Sequence, residues 1–250
     1  MSGAYLAVAR AGYLAYLRDK TSMIFTFAFP LLFLAVFGLI FHGQRVNGGA
    51  AYISYIAPGV LSWGVGNAAV FGVAFTLMHW RRDDLLRLIW RTPTPLAAVL
   101  GARWVVALAT GVVQAVLFTV VAVFGFDLHL GGSWPYAVPV LLCGSTAFAA
   151  LGLVVGGLAN TPEAVAALAN CLMVPMAFLS GAFYPIDLMP GWLQSLSRVL
   201  PLRWFDEGVT EAFGSGGSLA RFALDCGALI GFAVLLGALA AKTFRWSNRT

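Results

Sequence analysis

Long runs without a charged residue dominate the pattern of this chain. Such runs occupy residues 21–44, 46–80, 104–126, 128–162, 164–186 and 226–241. An α-helix needs about 20 mostly apolar residues to cross the hydrocarbon core of a bilayer. The two longest runs are interrupted by the turn sequences Asn47-Gly48-Gly49 and Gly131-Gly132-Ser133-Trp134-Pro135, so each holds one span.

The pattern predicts six transmembrane helices, at 23–41, 52–78, 97–124, 136–158, 164–182 and 219–241. The last contains Arg221 and Asp225, which are four residues apart and are expected to pair on one helix face. A β-barrel would show short segments of alternating hydrophobicity instead. The predicted fold is therefore an all-α integral membrane protein, with residues 1–250 forming a single transmembrane domain.

Composition supports the membrane assignment and narrows the possible functions. The chain is 60% hydrophobic and 10% charged, and its mean hydropathy is +0.87. A soluble domain has about a quarter of its residues charged, which a globule of this size needs for its surface. The net charge of +5 is therefore not a sign of nucleic-acid binding. In a membrane protein, Lys and Arg mainly report which side each loop faces.

The basic residues are distributed unequally between the two sides. The side of the termini carries 11 of them: Arg10, Arg18, Lys20, Arg81, Arg82, Arg87, Arg91, Arg103, Lys242, Arg245 and Arg249. The other side carries Arg45, Arg198, Arg203 and Arg221. The positive-inside rule then predicts that both termini are cytoplasmic. The acidic residues Asp206, Glu207 and Glu211 are expected to face outward.

Two segments on the predicted cytoplasmic side have amphipathic character. Residues 3–20 are expected to form a helix that lies in the membrane interface. In the basic loop 79–95, Leu85, Leu88 and Ile89 have helical spacing with charges between them, which predicts a short amphipathic helix. An ordinary solvated loop that anchors to lipid headgroups is the alternative.

The outer segment 183–218 is apolar but does not form a span. Pro185, Pro190 and Pro201 divide it into short pieces. Its many apolar residues are expected to hold it on or within the outer interface, with Trp192 and Trp204 as interfacial aromatic residues.

Several kinds of chemistry have no candidate residues. A nucleotide-binding P-loop needs Gly-Lys-Ser/Thr, but the two lysines, Lys20 and Lys242, follow Asp19 and Ala241. His42, His79 and His129 are far apart and do not have metal-ligand spacing. The sequence therefore predicts no catalytic residues, no metal site and no cofactor bound by this chain. Glu163 and Asp225 lie near span ends, which disfavours a proton-driven transporter.

Aromatic and small residues recur at helical spacing within the predicted spans. The first span carries a phenylalanine every fourth residue: Phe25, Phe29, Phe33, Phe37 and Phe41. Such a stripe is either packed or lipid-facing bulk, or an aromatic wall along a substrate path. The pairs Gly152-x-x-x-Gly156 and Gly227-x-x-x-Gly231 predict close helix approach, and dimerisation is one possible use of it.

Residues 180–211 carry a family resemblance. The sequence reads Ser-Gly-Ala-Phe-Tyr-Pro, then Pro-Gly-Trp-Leu, then Pro-Leu-Arg-Trp-Phe-Asp-Glu. This order resembles the permease subunits of type 2 ATP-binding-cassette exporters, which include drug-resistance, nodulation-factor and polysaccharide exporters. The residues on the pattern, called the outer signature here, are Gly181, Phe183, Pro185, Pro190, Trp192, Leu193, Pro201, Leu202, Trp204 and Glu207.

The resemblance implies partners and roles. Two permease subunits, identical or homologous, would pair with two separate ATPase subunits that bind ATP and Mg²⁺. The loop 79–95 would be the coupling helix, and residues 183–211 would form an outer re-entrant segment that gates the exit. The coupling residues would be Arg81, Arg82, Asp83, Asp84, Leu85, Arg87, Leu88, Ile89 and Arg91. The loop begins Arg82-Asp83-Asp84-Leu85, where the family often has Arg-Glu-x-Gly-Thr.

The resemblance also implies a function and a location. The chain would be the permease of a dimeric efflux system in the bacterial cytoplasmic membrane, exporting a hydrophobic drug or lipid-like substrate and conferring antibiotic resistance. Export of a lipid-linked polysaccharide by the same machinery is the alternative within the family. A secondary transporter driven by an ion gradient is the alternative outside it.

Overall fold

A computed structural model describes residues 20–41, 43, 52–83, 96–214 and 217–243. Within these ranges the chain is helical and contains no strand. The α-helices are α1 Lys20–Ile40, α2 Tyr52–Arg82, α3 Leu96–Phe126, α4 Ala137–Leu158, α5 Pro162–Leu179, α6 Gly191–Ser197, α7 Pro201–Phe213 and α8 Leu219–Thr243. Two 3-10 turns lie at Trp134–Tyr136 and Ile186–Leu188.

Each predicted span coincides with one of the six long helices. Five of these helices, α2, α3, α4, α5 and α8, contain stretches long and apolar enough to cross a membrane. Helix α1 contributes a shorter apolar stretch, Thr26–Ile40. The prediction of an all-α integral membrane protein is confirmed. The count of six spans and the cytoplasmic termini stay predictions, as does the interfacial helix at 3–20, which precedes the described residues except for Lys20.

Two helix ends differ from those expected. The second helix was expected to end at residue 78, but α2 continues to Arg82, with a turn at Asp83. The fifth was expected to reach residue 182, but α5 ends at Leu179. The chain then turns at Gly181, whose φ of +100° lies in the left-handed region that residues with a Cβ rarely adopt.

Helices α2 and α4 form the centre of the molecule. In its most apolar stretch, α2 is 67% buried and α4 is 61% buried. A Cβ atom at Gly152 would lie 2.7 Å from the carbonyl oxygen of Val70, and one at Gly156 would lie 2.6 Å from that of Ala74. This Gly-x-x-x-Gly pair therefore seats α4 directly on α2 within one chain.

Helices α5 and α8 lie at the periphery. Only 28% of the most apolar stretch of α5 and 17% of that of α8 is buried, although both stretches are strongly apolar. An exposed apolar helix surface of this kind suits contact with lipid. A Cβ atom at Gly227 or Gly231 on α8 would meet no atom within 4 Å, so this second glycine pair makes no close contact in the part of the chain that the structure describes.

The outer segment is divided by its prolines, as predicted. Pro185 precedes the 3-10 turn Ile186–Leu188, Pro190 precedes α6, and Pro201 is at the first turn of α7. Proline suits the start of a helix because the first amides have no partner there. One face of α7 packs against α2, α4 and α8, so the last piece of the segment belongs to the core.

Candidate functional site

An aromatic cluster connects α1, α2 and the outer signature. The rings of Phe29 and Phe33 on α1 lie 5.9 and 5.6 Å from the indole of Trp63 on α2. Phe183 of the outer signature lies 5.6 Å from Phe33 and 5.2 Å from Trp63. The centroid distances are those of favourable aromatic pairs. The structure therefore joins two groups of residues that were singled out separately in the sequence.

The cluster continues along α1 towards the C-terminal end of that helix. Phe33, Phe37 and Phe41 follow one another at 5.9 and 6.2 Å, and Phe41 stacks on Tyr52 at 4.3 Å. Phe29 is 39% exposed, and the other three are half-buried. The side chain of Phe25 lies outside the described residues. We call the set Phe29, Phe33, Phe37, Phe41, Tyr52, Trp63 and Phe183 the aromatic wall.

Two buried polar groups lie beside the aromatic wall. The indole nitrogen of Trp63 and both polar atoms of the Gln114 amide have no hydrogen-bond partner among the described residues. Gln114 is 2% exposed and lies in the middle of α3. A Cβ atom at Gly64 would be 2.8 Å from Pro30 and 3.0 Å from Gln114, so α1, α2 and α3 meet at this level.

The first turn of the outer signature rests on α2. The hydroxyl of Tyr55 donates to the carbonyl oxygen of Gly181 at 2.5 Å. A Cβ atom at Gly59 would lie 2.1 Å from the carbonyl oxygen of Ala182, so the two backbones are in direct contact. A Cβ atom at Gly181 would also lie 2.6 Å from Ile186. Glycine is therefore required on both sides of this contact.

The rest of the outer signature divides into buried and exposed parts. Leu202 is fully buried, and its neighbour Phe205 packs 5.9 Å from Phe148 on α4. The Trp204 indole donates to the carbonyl oxygen of Arg198 at 2.9 Å. Trp192 is 69% exposed, which suits the predicted interfacial position.

The acidic residues of α7 differ in their burial, and the prediction that they lie on the outer side of the membrane stays a prediction. Glu207 pairs with Arg203 one turn earlier, but Asp206 is only 9% exposed. Burial raises the pKa of the Asp206 carboxyl to about 7, and the positive charge of Arg203 only partly opposes the shift. Within the described residues, its Oδ1 atom has no hydrogen-bond partner. The amphipathic face of α7 places Asp206 inward because its neighbours Leu202, Phe205 and Val209 are core residues.

The expected pairing of Arg221 with Asp225 is wrong. The Arg221 guanidinium instead donates to Glu211 on α7 at 2.9 Å. Asp225 is 4% exposed, and its carboxylate lies 3.4 Å from where a Cβ atom of Gly208 would be. Arg221 reaches outward from the first turn of α8, whereas Asp225 faces α7. Tertiary packing therefore overrides the local four-residue spacing.

Arg81 holds the opposite end of the helices together. Its Nη1 atom donates to the carbonyl oxygens of Gly156, Gly157 and Ala159, at 3.0, 2.5 and 3.3 Å. Its Nη2 atom donates to the Asn160 side chain at 3.2 Å. These carbonyls end α4, where a cation is favourable because the helix dipole is negative. The 3% exposed Arg81 therefore ties the end of α2 to the end of α4.

The predicted coupling residues are only partly described. Arg82 and Asp83 are exposed beside the buried Arg81. The other six, Asp84, Leu85, Arg87, Leu88, Ile89 and Arg91, lie outside the described residues. Their role in coupling stays a prediction, as do the roles of the outer signature and of the phenylalanine stripe.

Sequence reasoning did not select Tyr55, Trp63, Gln114 or Arg203 as site residues. Gln114 could have been noticed, because it is a lone amide in the charge-free run 104–126. Tyr55 and Trp63 had no such signal, since aromatic residues are common in spans. Their importance depends on Gly181 and Phe183, which are more than a hundred residues away.

Comparisons with known proteins agree with this architecture. The sequence profile of the ABC-2 type transporter family matches residues 3–213. Nodulation protein J of Rhizobium meliloti is 29% identical over 92% of this chain and 88% of the relative. The daunorubicin resistance ABC transporter permease protein DrrB1 of Streptomyces coeruleorubidus is 32% identical over 69% of this chain and 62% of the relative. The inner membrane transport permease YadH of Escherichia coli K12 is 24% identical over 73% and 71%.

The chain belongs to the ABC-2 type transporter family. It is a multi-pass membrane protein and a transmembrane permease subunit of an ABC-type exporter. The resemblance seen in residues 180–211 is thereby confirmed. The permease names of its relatives agree with the prediction that this chain is not itself an enzyme.

Proposed function

We propose that this chain moves a hydrophobic drug or a lipid-like molecule from the cytoplasm or the inner leaflet across the bacterial cytoplasmic membrane. The observation that carries the proposal is the aromatic wall, which joins the rings of α1 to Trp63 and to Phe183 of the outer signature. From Phe29 to Phe41, the row of rings offers continuous apolar contact along α1.

The chemistry of the wall favours a substrate with an apolar body and few polar groups. Aromatic side chains bind apolar molecules over large areas, and a few polar groups nearby orient them. Trp63 and Gln114 could supply such groups, because their polar atoms have no partner among the described residues. The names of two relatives, a daunorubicin resistance permease and a nodulation protein, support substrates larger than an ion.

The energy would come from a separate subunit. The chain has no P-loop, so ATP and Mg²⁺ would bind to two copies of a partner ATPase. A second permease subunit, identical or homologous, would complete the path. The segment 79–95 would dock on the ATPase, and Arg81 would transmit its movement because it ties α2 to α4.

The outer signature would open and close the exit. Phe183 belongs both to the aromatic wall and to the segment that rests on α2 through Tyr55 and Gly181. A tilt of α1 against α2 would separate the rings on α1 from Trp63 and Phe183, and it would shift this segment. Transport of this kind needs two alternative packings of the helices and no catalytic residue.

The first test is a native affinity purification from membranes, followed by mass spectrometry and an ATPase assay. We expect a soluble ATPase to be recovered in equal amount with the chain. A chain that is purified without an ATPase, and whose transport follows an ion gradient after ATP depletion, would overturn the proposal in favour of a secondary transporter.

The second test concerns the substrate path. The purified complex is assayed for ATPase stimulation by daunorubicin, other hydrophobic drugs and a lipid-linked oligosaccharide. Phe33→Ala should lower the stimulation about tenfold through loss of ring contacts. Phe124→Ala is the matched control, because Phe124 on α3 is 84% exposed. Stimulation by the oligosaccharide alone would favour the polysaccharide alternative.

A further inference from the structure

A crevice opens between α3 and α8. Its floor is formed by α2 and α4, and its volume is about 290 Å³. Trp80 on α2 and Trp104 on α3 line it together with Thr146 on α4, and Ala233 and Gly237 on α8 form the facing side. We call it the α3–α8 crevice.

The walls of the crevice are mostly apolar, and four of its lining residues have hydrogen-bond partners: Thr76, Arg103, Trp104 and Thr146. The Trp104 indole donates to the Thr146 hydroxyl at 3.2 Å, which in turn donates to the carbonyl oxygen of Leu142 at 2.7 Å. The Thr76 hydroxyl and the Arg103 guanidinium both donate to the carbonyl oxygen of Gly72. A polar ligand would gain little from such walls, whereas a hydrocarbon chain would fit them.

The crevice faces lipid. On α3, the lining residue Trp104 and its neighbour Val105 are apolar and are each 40% exposed. Only a small part of α8 is buried. A molecule that enters the crevice therefore comes from the bilayer, and in a bilayer an acyl chain is the commonest hydrocarbon.

The position of the crevice along the helices indicates the leaflet. It is lined by the last turns of α2, the first turns of α3 and the end of α8. The same end of the molecule carries Arg82 and Lys242, which are exposed, and Arg103 in the wall itself. The positive-inside rule assigns this end to the cytoplasm. Basic pockets between helices on that side suit lipids with anionic headgroups.

We propose that the α3–α8 crevice binds an acyl chain of an anionic phospholipid of the cytoplasmic leaflet. The phosphate group lies at the level of the exposed Arg82 and Lys242, and the chain lies against Trp104 and Gly237. The bound lipid fills the space between α3 and α8. Because α2 and α3 flank the segment 84–95 in sequence, the lipid also fixes the helix ends from which that segment starts.

Native mass spectrometry of the purified full chain tests the proposal, with dioleoyl-phosphatidylglycerol as the probe and dioleoyl-phosphatidylcholine as the neutral comparison. Gly237→Leu fills the crevice, since a Cβ atom there would meet no described atom within 4 Å. Gly231→Leu is the matched control on the same helix, where a Cβ atom is equally free and the crevice is not reached.

We expect phosphatidylglycerol to bind more tightly than phosphatidylcholine. Gly237→Leu should weaken its binding about tenfold, the effect of losing a few buried methylene contacts. Gly231→Leu should bind as the wild type does. Ala233→Leu provides a second filling variant if Gly237→Leu does not fold.

Three results would overturn the proposal. Unchanged binding in both filling variants would place the lipid elsewhere. Equal affinity for the two lipids would show that the negative charge of the headgroup does not contribute to binding. A change in oligomeric state with Gly237→Leu, without lipid binding to the wild type, would mean that a second copy of the chain covers the crevice. The test does not depend on transport, so its failure leaves the proposed function untouched.

Discussion

Polar side chains are buried in two contrasting ways at Arg81 and at the pair Asp206 and Gln114. Arg81 donates through both Nη atoms to four acceptors at the end of α4, and only its Nε atom makes no hydrogen bond among the described residues. Asp206 and Gln114 are comparably buried, yet Asp206 has one polar atom and Gln114 has two without a partner among the described residues. All three residues lie within an apolar helix bundle, so the difference is not one of burial.

The contrast distinguishes buried polar groups that stabilise the helix packing from those that are expected to act in transport. A buried polar group with partners strengthens the packing, whereas one without partners costs free energy. In a membrane protein such a cost is a reason to expect a functional role. Arg81 is therefore expected to stabilise one arrangement of the helices. Asp206 and Gln114 are expected to take part in the conformational changes of transport.

The largest expected effect is at Arg81. Arg81→Ala removes donors to three carbonyls and an amide oxygen, and should lower the free energy of unfolding by about 3–5 kcal/mol or prevent folding. Thermal unfolding in detergent measures this. Arg82→Ala is the control, because Arg82 is exposed and should change stability by less than about 0.5 kcal/mol. Equal effects of the two variants would contradict the anchoring role.

The second effect concerns Asp206 and pH. Because its pKa is raised from 3.8 to about 7, the folded chain binds more protons than the unfolded chain between these values. Stability should therefore be highest below about pH 4 for this group and fall as pH rises to about 7, by the order of 2–4 kcal/mol.

Asp206→Asn tests this, because asparagine is uncharged at every pH. Its melting temperature should exceed that of the wild type at pH 8, and the two should converge below about pH 4. Glu207→Gln is the control, since Glu207 is partly exposed and paired with Arg203. A wild type whose stability rises with pH over this range would refute the burial of a neutral Asp206.

The third effect is at Gln114. Gln114→Leu replaces a buried amide without partners by an apolar side chain of similar size, and should stabilise the chain by about 1–3 kcal/mol. The same variant should reduce substrate-stimulated ATPase activity of the complex. Asn67→Leu is the matched control, because the Asn67 amide donates to the Trp63 carbonyl oxygen at 3.1 Å. Destabilisation by Gln114→Leu would assign Gln114 a structural role instead.

The smallest effect on stability is expected in the coupling segment. Reversing the charge of Arg82, which is exposed, and of Arg87 together should leave the melting temperature unchanged within about 1 °C. Recovery of the ATPase in the native purification should fall, because these charges would face the partner. Unchanged recovery and unchanged transport would remove this segment from the coupling interface.

Much of the fold followed from the sequence because the bilayer imposes a simple rule. Each charge-free run of sufficient length must form a helix, since backbone groups have no other partner in hydrocarbon. The prolines of the outer segment also marked its pieces correctly. The helix ends were less accurate, because the extension of α2 to Arg82 is accompanied by bonds to α4 that local sequence does not contain.

The candidate site was only half visible in the sequence. The phenylalanine stripe and the outer signature each stood out, but their meeting at Trp63 did not. Likewise, Arg221 was expected to pair within its own helix and instead bonds Glu211 on α7. Sequence spacing shows which side chains lie close together on one helix. Packing between helices decides whether they bond to each other or to residues of another helix.

The sequence by itself determined the class of protein, the positions of its long helices and its family, because hydropathy and a short motif are properties of consecutive residues. Only the tertiary structure decided which polar groups are anchored and which are left without partners. That distinction depends on the distances between helices, which glycines such as Gly152 and Gly156 set by allowing direct backbone contact.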